Sequence, residues 1–302
     1  MRTALFIFQF LSVPLRSKSF IMKSIFKRFI LLAILFFVTA RIVHGQEHKL
    51  IKKWESDTVL KTPESVLYDA EGKVLYVSNI DGKDPWAADG KGSIGKVGLD
   101  GKIIAVDWVA GLNAPKGLGI YQGKLYAADI GNVIVISIKD AKIIQTIAID
   151  GAEGLNDITV DKNGIVYVSD SKTKKVFRIE NGKAALFLEN LKGPNGLLAD
   201  KDSLYLLDNG GMYKIGADKS LLKITDGMEG GTDGIENVAG SDYIVTCWAG
   251  VIWYVKGDGA KEKLLDTREQ KINSADLGYD AKSRTLYVPT FWRNGIVAYE
   301  LR

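Results

Sequence analysis

Six residues, each five positions before the end of an inner β run, could do chemistry together: Glu64, Lys116, Asn156, Asn195, Asp233 and Ala275. They occupy equivalent points of six repeats, so a cyclic arrangement of those repeats would bring them to one axis. Two carboxylates and two amides around an axis suit a hard cation such as Ca2+, which takes about six to eight oxygens from carboxylates, amide carbonyls and water. With Glu64, Asn156, Asn195 and Asp233 as ligands, positions stay open for water or a substrate. An open site of that kind can polarise a carbonyl or phosphoryl oxygen. Lys116 is the odd member, since it could contact an anionic substrate, repel the ion or face solvent.

The elements that must position these residues are repeated β runs, at residues 74–78, 124–128, 166–169, 203–207, 242–246 and 285–289, marked by Tyr76, Tyr126, Tyr167, Tyr205, Tyr243 and Tyr287. A period of about 40 to 50 residues, in a chain of strands and Gly/Asp turns, is the pattern of a propeller with one four-stranded blade per repeat. The expected fold is therefore all-β, a six-bladed β-propeller. In the third repeat the strands fall at residues 156–160, 166–169, 175–179 and 184–188, and Asn181-Gly182 supplies hairpin chemistry. The sixth repeat runs out at Arg302 after three strands. Residues 50–54 can supply the fourth, closing the ring and removing two exposed edges.

Ahead of the repeats, Lys23, Lys27 and Arg28 precede an apolar run at residues 29–40, followed by Val43, His44 and Gly45. This order describes a secretory signal peptide cut near Gly45. The run is shorter than the roughly 20 residues of a membrane helix. Residues 1–45 are therefore read as a signal region, 1–21 as an over-extended start, and 46–302 as one propeller domain, exported to the periplasm or the extracellular space without a stable membrane span. Residues 1–45 hold seven Lys/Arg and no Asp or Glu, so their removal takes the formal charge from +4 to −3. That removes an electrostatic case for nucleic acid. The single cysteine, Cys247, cannot form an internal disulfide and reads as a small buried hydrophobe.

The motifs Pro63-Glu64, Asn156-Asp157, Pro194-Asn195-Gly196 and Asp233-Gly234, each opening an inner strand, resemble the regucalcin/gluconolactonase family over the whole mature chain. Members of that family are six-bladed propellers that hold a divalent metal in the channel and hydrolyse sugar lactones. The resemblance implies metal ligation by Glu64, Asn195 and Asp233, with Asn156 at the metal or on the substrate and the metal-bound Asp233 as general base. Phosphotriesterases resembling diisopropyl fluorophosphatase use a similar set. Two departures stand out. Lactonases of the family often place an Arg two residues before the Asn-Asp pair, where this chain has Gly154. The mature chain also has only His48, which leaves base chemistry to Asp233 or Asp157.

Loops after the second strands should roof the site with Trp86, Asp129, Asp170, Asn209, Trp248 and Trp292, a wall suited to a small-molecule substrate. Trp248 and Trp292 could equally pack between blades, whereas Trp86 lies in the Gly/Asp-rich insertion 81–93 and reads as a lid. Asp276, beside Ala275, is a further polar candidate. The competing reading is a non-catalytic module of the NHL-repeat type that binds a ligand or protein partner, with any metal structural. In that reading Asn or Asp before Gly is an ordinary turn former.

Overall fold

Asn181 and Gly182 take φ values of 53° and 73°, the positive angles a two-residue type I′ turn requires, and they join strands in which Glu180 pairs with Lys183. Local chemistry of this kind builds six hairpin-linked sheets. The computed structural model describes residues 48–302, and the expected signal region and the alternative start lie outside the described residues.

The first strand, β1 (Leu50–Glu55), belongs to the last blade. Blade one comprises β2 (Pro63–Asp69), β3 (Val74–Asn79), β4 (Gly92–Gly98) and β5 (Ile103–Leu112). Blade two follows with β6 (Pro115–Tyr121), β7 (Lys124–Asp129), β8 (Asn132–Ser137) and β9 (Lys142–Ala148). Blade three comprises β10 (Leu155–Val160), β11 (Val166–Asp170), β12 (Lys175–Glu180) and β13 (Lys183–Leu188). Blade four has β14 (Pro194–Asp200), β15 (Ser203–Asp208), β16 (Gly211–Ile215) and β17 (Leu221–Thr225). Blade five has β18 (Thr232–Ala239), β19 (Asp242–Cys247), β20 (Val251–Val255) and β21 (Lys261–Asp266). Blade six has β22 (Gly278–Asp280), β23 (Thr285–Pro289) and β24 (Ile296–Leu301), and its fourth strand is β1.

The closing pair is antiparallel, running from Leu50 opposite Leu301 to Glu55 opposite Val297. Two backbone bonds between Lys49 and Arg302 lock its end. This is the closure the sequence predicts.

Among the described residues, six of the seven hydrophobic clusters join two neighbouring blades. Ala128, Val133 and Val135 of blade two pack with Leu155, Val168 and Phe177 of blade three. Cys247 is fully buried in such a seam, and burial pushes its thiol pKa up to about 12, so it behaves as a small hydrophobe. Two marker tyrosines also meet across a seam, Tyr205 and Tyr243 at 5.0 Å. No helix among the described residues is long and apolar enough to cross a membrane.

Candidate active site at the channel mouth

Five of the six ring positions lie in β-bulges. The register of the first two strands slips between Pro63 and Ser65, between Pro115 and Leu118, and between Leu155 and Ile158. It slips again between Pro194 and Leu197 and between Thr232 and Ile235. Glu64, Lys116, Asn156, Asn195 and Asp233 sit inside those slips. A bulge re-aims a side chain and leaves part of the ladder unpaired. In three blades the freed N–H is taken by a hydroxyl of the second strand: Ser65 N–H donates to Ser78 at 2.8 Å, Asp157 N–H to Ser169 at 2.9 Å and Gly234 N–H to Thr246 at 2.8 Å. Sequence reasoning missed Ser78, Ser169 and Thr246, although each follows the tyrosine marker at two or three residues.

The glycines after Asn195 and Asp233 are not turn residues, because both lie within strands and neither has a positive φ. A Cβ at Gly196 would lie 2.3 Å from the Asp233 carbonyl oxygen, and one at Gly234 2.4 Å from Asp276. The inner strands crowd at the axis, and only glycine fits. The ordinary-turn account of these motifs therefore fails on geometry.

Glu64 and Asp233 are almost fully buried, at 4% and 2% exposure. Asn195 Nδ2 donates to Asp233 Oδ1 at 2.8 Å. Glu64 Oε2, Asn195 Oδ1 and Asp233 Oδ2 are buried without any hydrogen-bond partner. These three acceptors come from three blades and lack hydrogen bonds, with only the charge of Lys116 offsetting Glu64 and Asp233, and such groups are costly to bury. Burial, then the charge of Asp233, pushes the Glu64 pKa well above the carboxylate range, with Lys116 opposing. Burial and the nearby Asp276 push Asp233 up to about 8 against the Asn195 hydrogen bond and Lys116. Asn156 Nδ2 donates to Ser171 Oγ at 2.9 Å, and Ser171 donates on to Pro194 O at 2.7 Å. That fixes the amide's orientation. Among the described residues no group of three or more His, Cys, Asp or Glu is arranged to hold a metal, so a cation here would owe half its protein ligands to amides. The donor set fits a hard cation.

Asp157, a candidate base, has both oxygens committed: Oδ1 accepts the Ile158 N–H at 2.7 Å and Oδ2 the Leu197 N–H at 2.6 Å. It ties blade three to blade four. Beyond it the channel holds a cavity of about 160 Å³ lined by Ser65, Asp157, Glu236 and Asp276. Asp276, the further polar candidate, accepts from Ser65 Oγ at 2.5 Å, and its pKa rises by burial to about 6.

The roof residues divide. Asp129 accepts backbone N–H groups from Asn113 and Ala114, and Asp170 from Glu153, Gly154 and Thr173. Asp208, not singled out by sequence, clamps Lys192 and Gly193 in the same way. Against the expectation of substrate contact, these carboxylates are spent on holding the inter-blade loops, because the last residue of the second strand faces those loops. Asn209 is likewise a turn residue, exposed, with φ 49° ahead of Gly210 at 84°.

Trp86, Trp248 and Trp292 remain. Trp248 and Trp292 are part-exposed, at 39% and 45%, and each meets buried Phe291 edge to face. Phe291 packs with Ile80, Ala114 and ring residue Ala275, so it anchors an aromatic wall that sequence reasoning missed. Lys116 does not face solvent. It is buried, donates to Pro85 O and Ala114 O, and lies 4.2 Å from the Trp86 ring centre. The insertion carrying Trp86 is also tied at its ends, by Thr62 Oγ1 to Gly82 O and by Gly90 N–H to Asn113.

No protein-family model matches this chain, and no curated protein matches it in sequence. Solved structures do match. A candidate gluconolactonase superposes with a TM-score of 0.63 at 15% identity, covering 85% of this chain and 93% of the other. Virginiamycin B lyase from Staphylococcus aureus gives 0.57 at 16% identity, over 84% of this chain and 99% of the lyase. A chain of the nidogen/laminin complex gives 0.61 at 16%, over 72% and 84%. The likeness is one of fold. Fold alone does not fix chemistry.

Proposed function

We propose that the chain is a metal-dependent hydrolase of sugar lactones or related small esters, acting at the mouth ring. One observation carries the reading: the orphaned acceptors of Glu64, Asn195 and Asp233 gathered in a buried place. A hard divalent cation such as Ca2+, held by Glu64, Asn156, Asn195 and Asp233, would supply Lewis acidity toward a carbonyl oxygen and lower the carboxylate pKa values. Asn195 holds one oxygen of Asp233, which leaves Oδ2 to take a proton from the attacking water. Water oxygen bonds to the carbonyl carbon, the ring C–O bond breaks, and that proton passes to the leaving alkoxide. The buried Lys116 ammonium offsets part of the negative charge of Glu64 and Asp233. Trp86, Trp248 and Trp292 wall the cleft and exclude bulk water. Asp157 positions blades and takes no part in proton transfer.

The test is metal content of the purified protein by inductively coupled plasma mass spectrometry, paired with a lactone and ester screen with and without chelator. About one equivalent of a divalent ion, with chelator-sensitive hydrolysis lost in Asp233→Asn, supports the reading. Metal retained with no hydrolysis of lactones, esters or phosphotriesters turns it to a binding module, a role in keeping with the propeller in the nidogen/laminin complex. Export rests on residues 1–45 and is checked by the N-terminal sequence of the mature protein.

A further inference from the structure

Two lysines meet on one indole at the channel mouth. Lys172 Nζ lies 4.7 Å from the Trp86 ring centre, beside Lys116 Nζ at 4.2 Å. They come from different blades, Lys116 from β6 and Lys172 from the loop after β11. Among the described residues neither makes an ion pair within 4 Å, and of the two Lys116 feels the nearby charges of Glu64, Asp129 and Asp233. The Lys172 charge nevertheless works against that of Lys116, since two ammonium groups repel, and the indole face repays part of that repulsion.

The position of Lys172 depends on Gly154. A Cβ at Gly154 would lie 2.6 Å from Lys172 Cγ and 2.8 Å from its Cδ. The lysine stem therefore runs across the glycine, in space that any larger residue would occupy, and this directs the ammonium to the mouth. Lys116 spends two of its hydrogens on the Pro85 and Ala114 carbonyls, and an ammonium has a third. Lys172 is exposed.

We infer that Trp86, Lys116 and Lys172 form a subsite for an ionised acid group, so that the ligand is a sugar derivative bearing a carboxylate or a phosphate. This rests on the reading of the mouth as a ligand site and names the substrate class within it: acidic lactones are preferred to neutral ones. The indole holds the two ammonium groups in place while they take the acid oxygens.

The experiment is calorimetric titration of the metal-loaded, full mature protein with glucarate, with glucose 6-phosphate and with neutral glucitol, repeated with Lys172→Met. Methionine keeps an unbranched stem across Gly154 and removes only the charge. The expected result is that at least one anion binds ten-fold or more tighter than glucitol. That ratio collapses toward unity in Lys172→Met and shrinks in 0.5 M salt, and the preferred anion identifies the acid group. Equal binding of charged and neutral sugars, or an anion preference unchanged in Lys172→Met, overturns the inference. Binding is read directly, so failed lactone hydrolysis bears on the hydrolase reading alone.

Discussion

Two sets of buried acids, one on blades two to four and one on blades one and five, have opposite fates. Asp129, Asp170 and Asp208, at the ends of second strands, have their oxygens filled by backbone N–H groups of inter-blade loops and, for Asp170, also of its own hairpin turn. Glu64 and Asp233, at the starts of inner strands, keep unpartnered oxygens in an equally dry setting. Composition does not separate them. Their hydrogen-bond saturation does: a filled carboxylate holds the fold, and the unfilled buried ones are those to which the proposed function assigns the cation.

The comparison breaks most decisively at Asp233. Asp233→Asn should lower kcat/KM for a hydrolysed lactone by at least about 100-fold, the upper end of what an outer-shell residue of a metal site costs, while the circular dichroism spectrum is kept. Unaltered turnover would remove Asp233 from the mechanism. Asp170→Ala should do the reverse, costing about 3 kcal/mol in urea unfolding because it strands buried N–H donors; a loss under about 0.5 kcal/mol would place Asp170 with the unfilled acids.

A smaller effect concerns the cation and pH. Asp233 and Glu236 are raised to about 8 and Asp276 to about 6, chiefly by burial. Folded acids then hold protons that the unfolded chain has released, so metal-free protein should lose stability as pH rises from about 4 to 8. Calcium at 100 times its Kd should restore about 2.7 kcal/mol, with a larger rise in Tm at pH 8 than at pH 5. An equal rise at both pH values would argue against a site at these acids. Last, Gly196→Ala should cost about 2 kcal/mol through overpacking against the Asp233 carbonyl, read by thermal unfolding. A neutral result would return Gly196 to the turn account.

Much of the fold was legible in the residues. The tyrosine markers, the Asn181-Gly182 hairpin and the missing strand of the sixth blade are local or counting signals, and they led to six sheets and to the pairing of β1 with β24. The site was legible in part. Equivalence between repeats brings Glu64, Asn156, Asn195 and Asp233 to one ring, whereas the same equivalence puts Asp129, Asp170 and Asn209 in a roof where the structure has them holding loops and a turn. Equivalence fixes where a residue sits along its blade. It does not report which donors the neighbouring blade presents to it.

The sequence by itself determined the number of blades, their strand order and the closure, because hairpin turns and period-two patterning act between residues a few positions apart. Tertiary structure alone decided which acids are saturated, why Gly196 and Gly234 must be glycine, and how Lys172 reaches Trp86 across Gly154. Each of those depends on a contact outside the local pattern, from 16 residues apart for Asn113 and Asp129 to 86 for Trp86 and Lys172 (172 − 86), which only the packing of loops and blades creates.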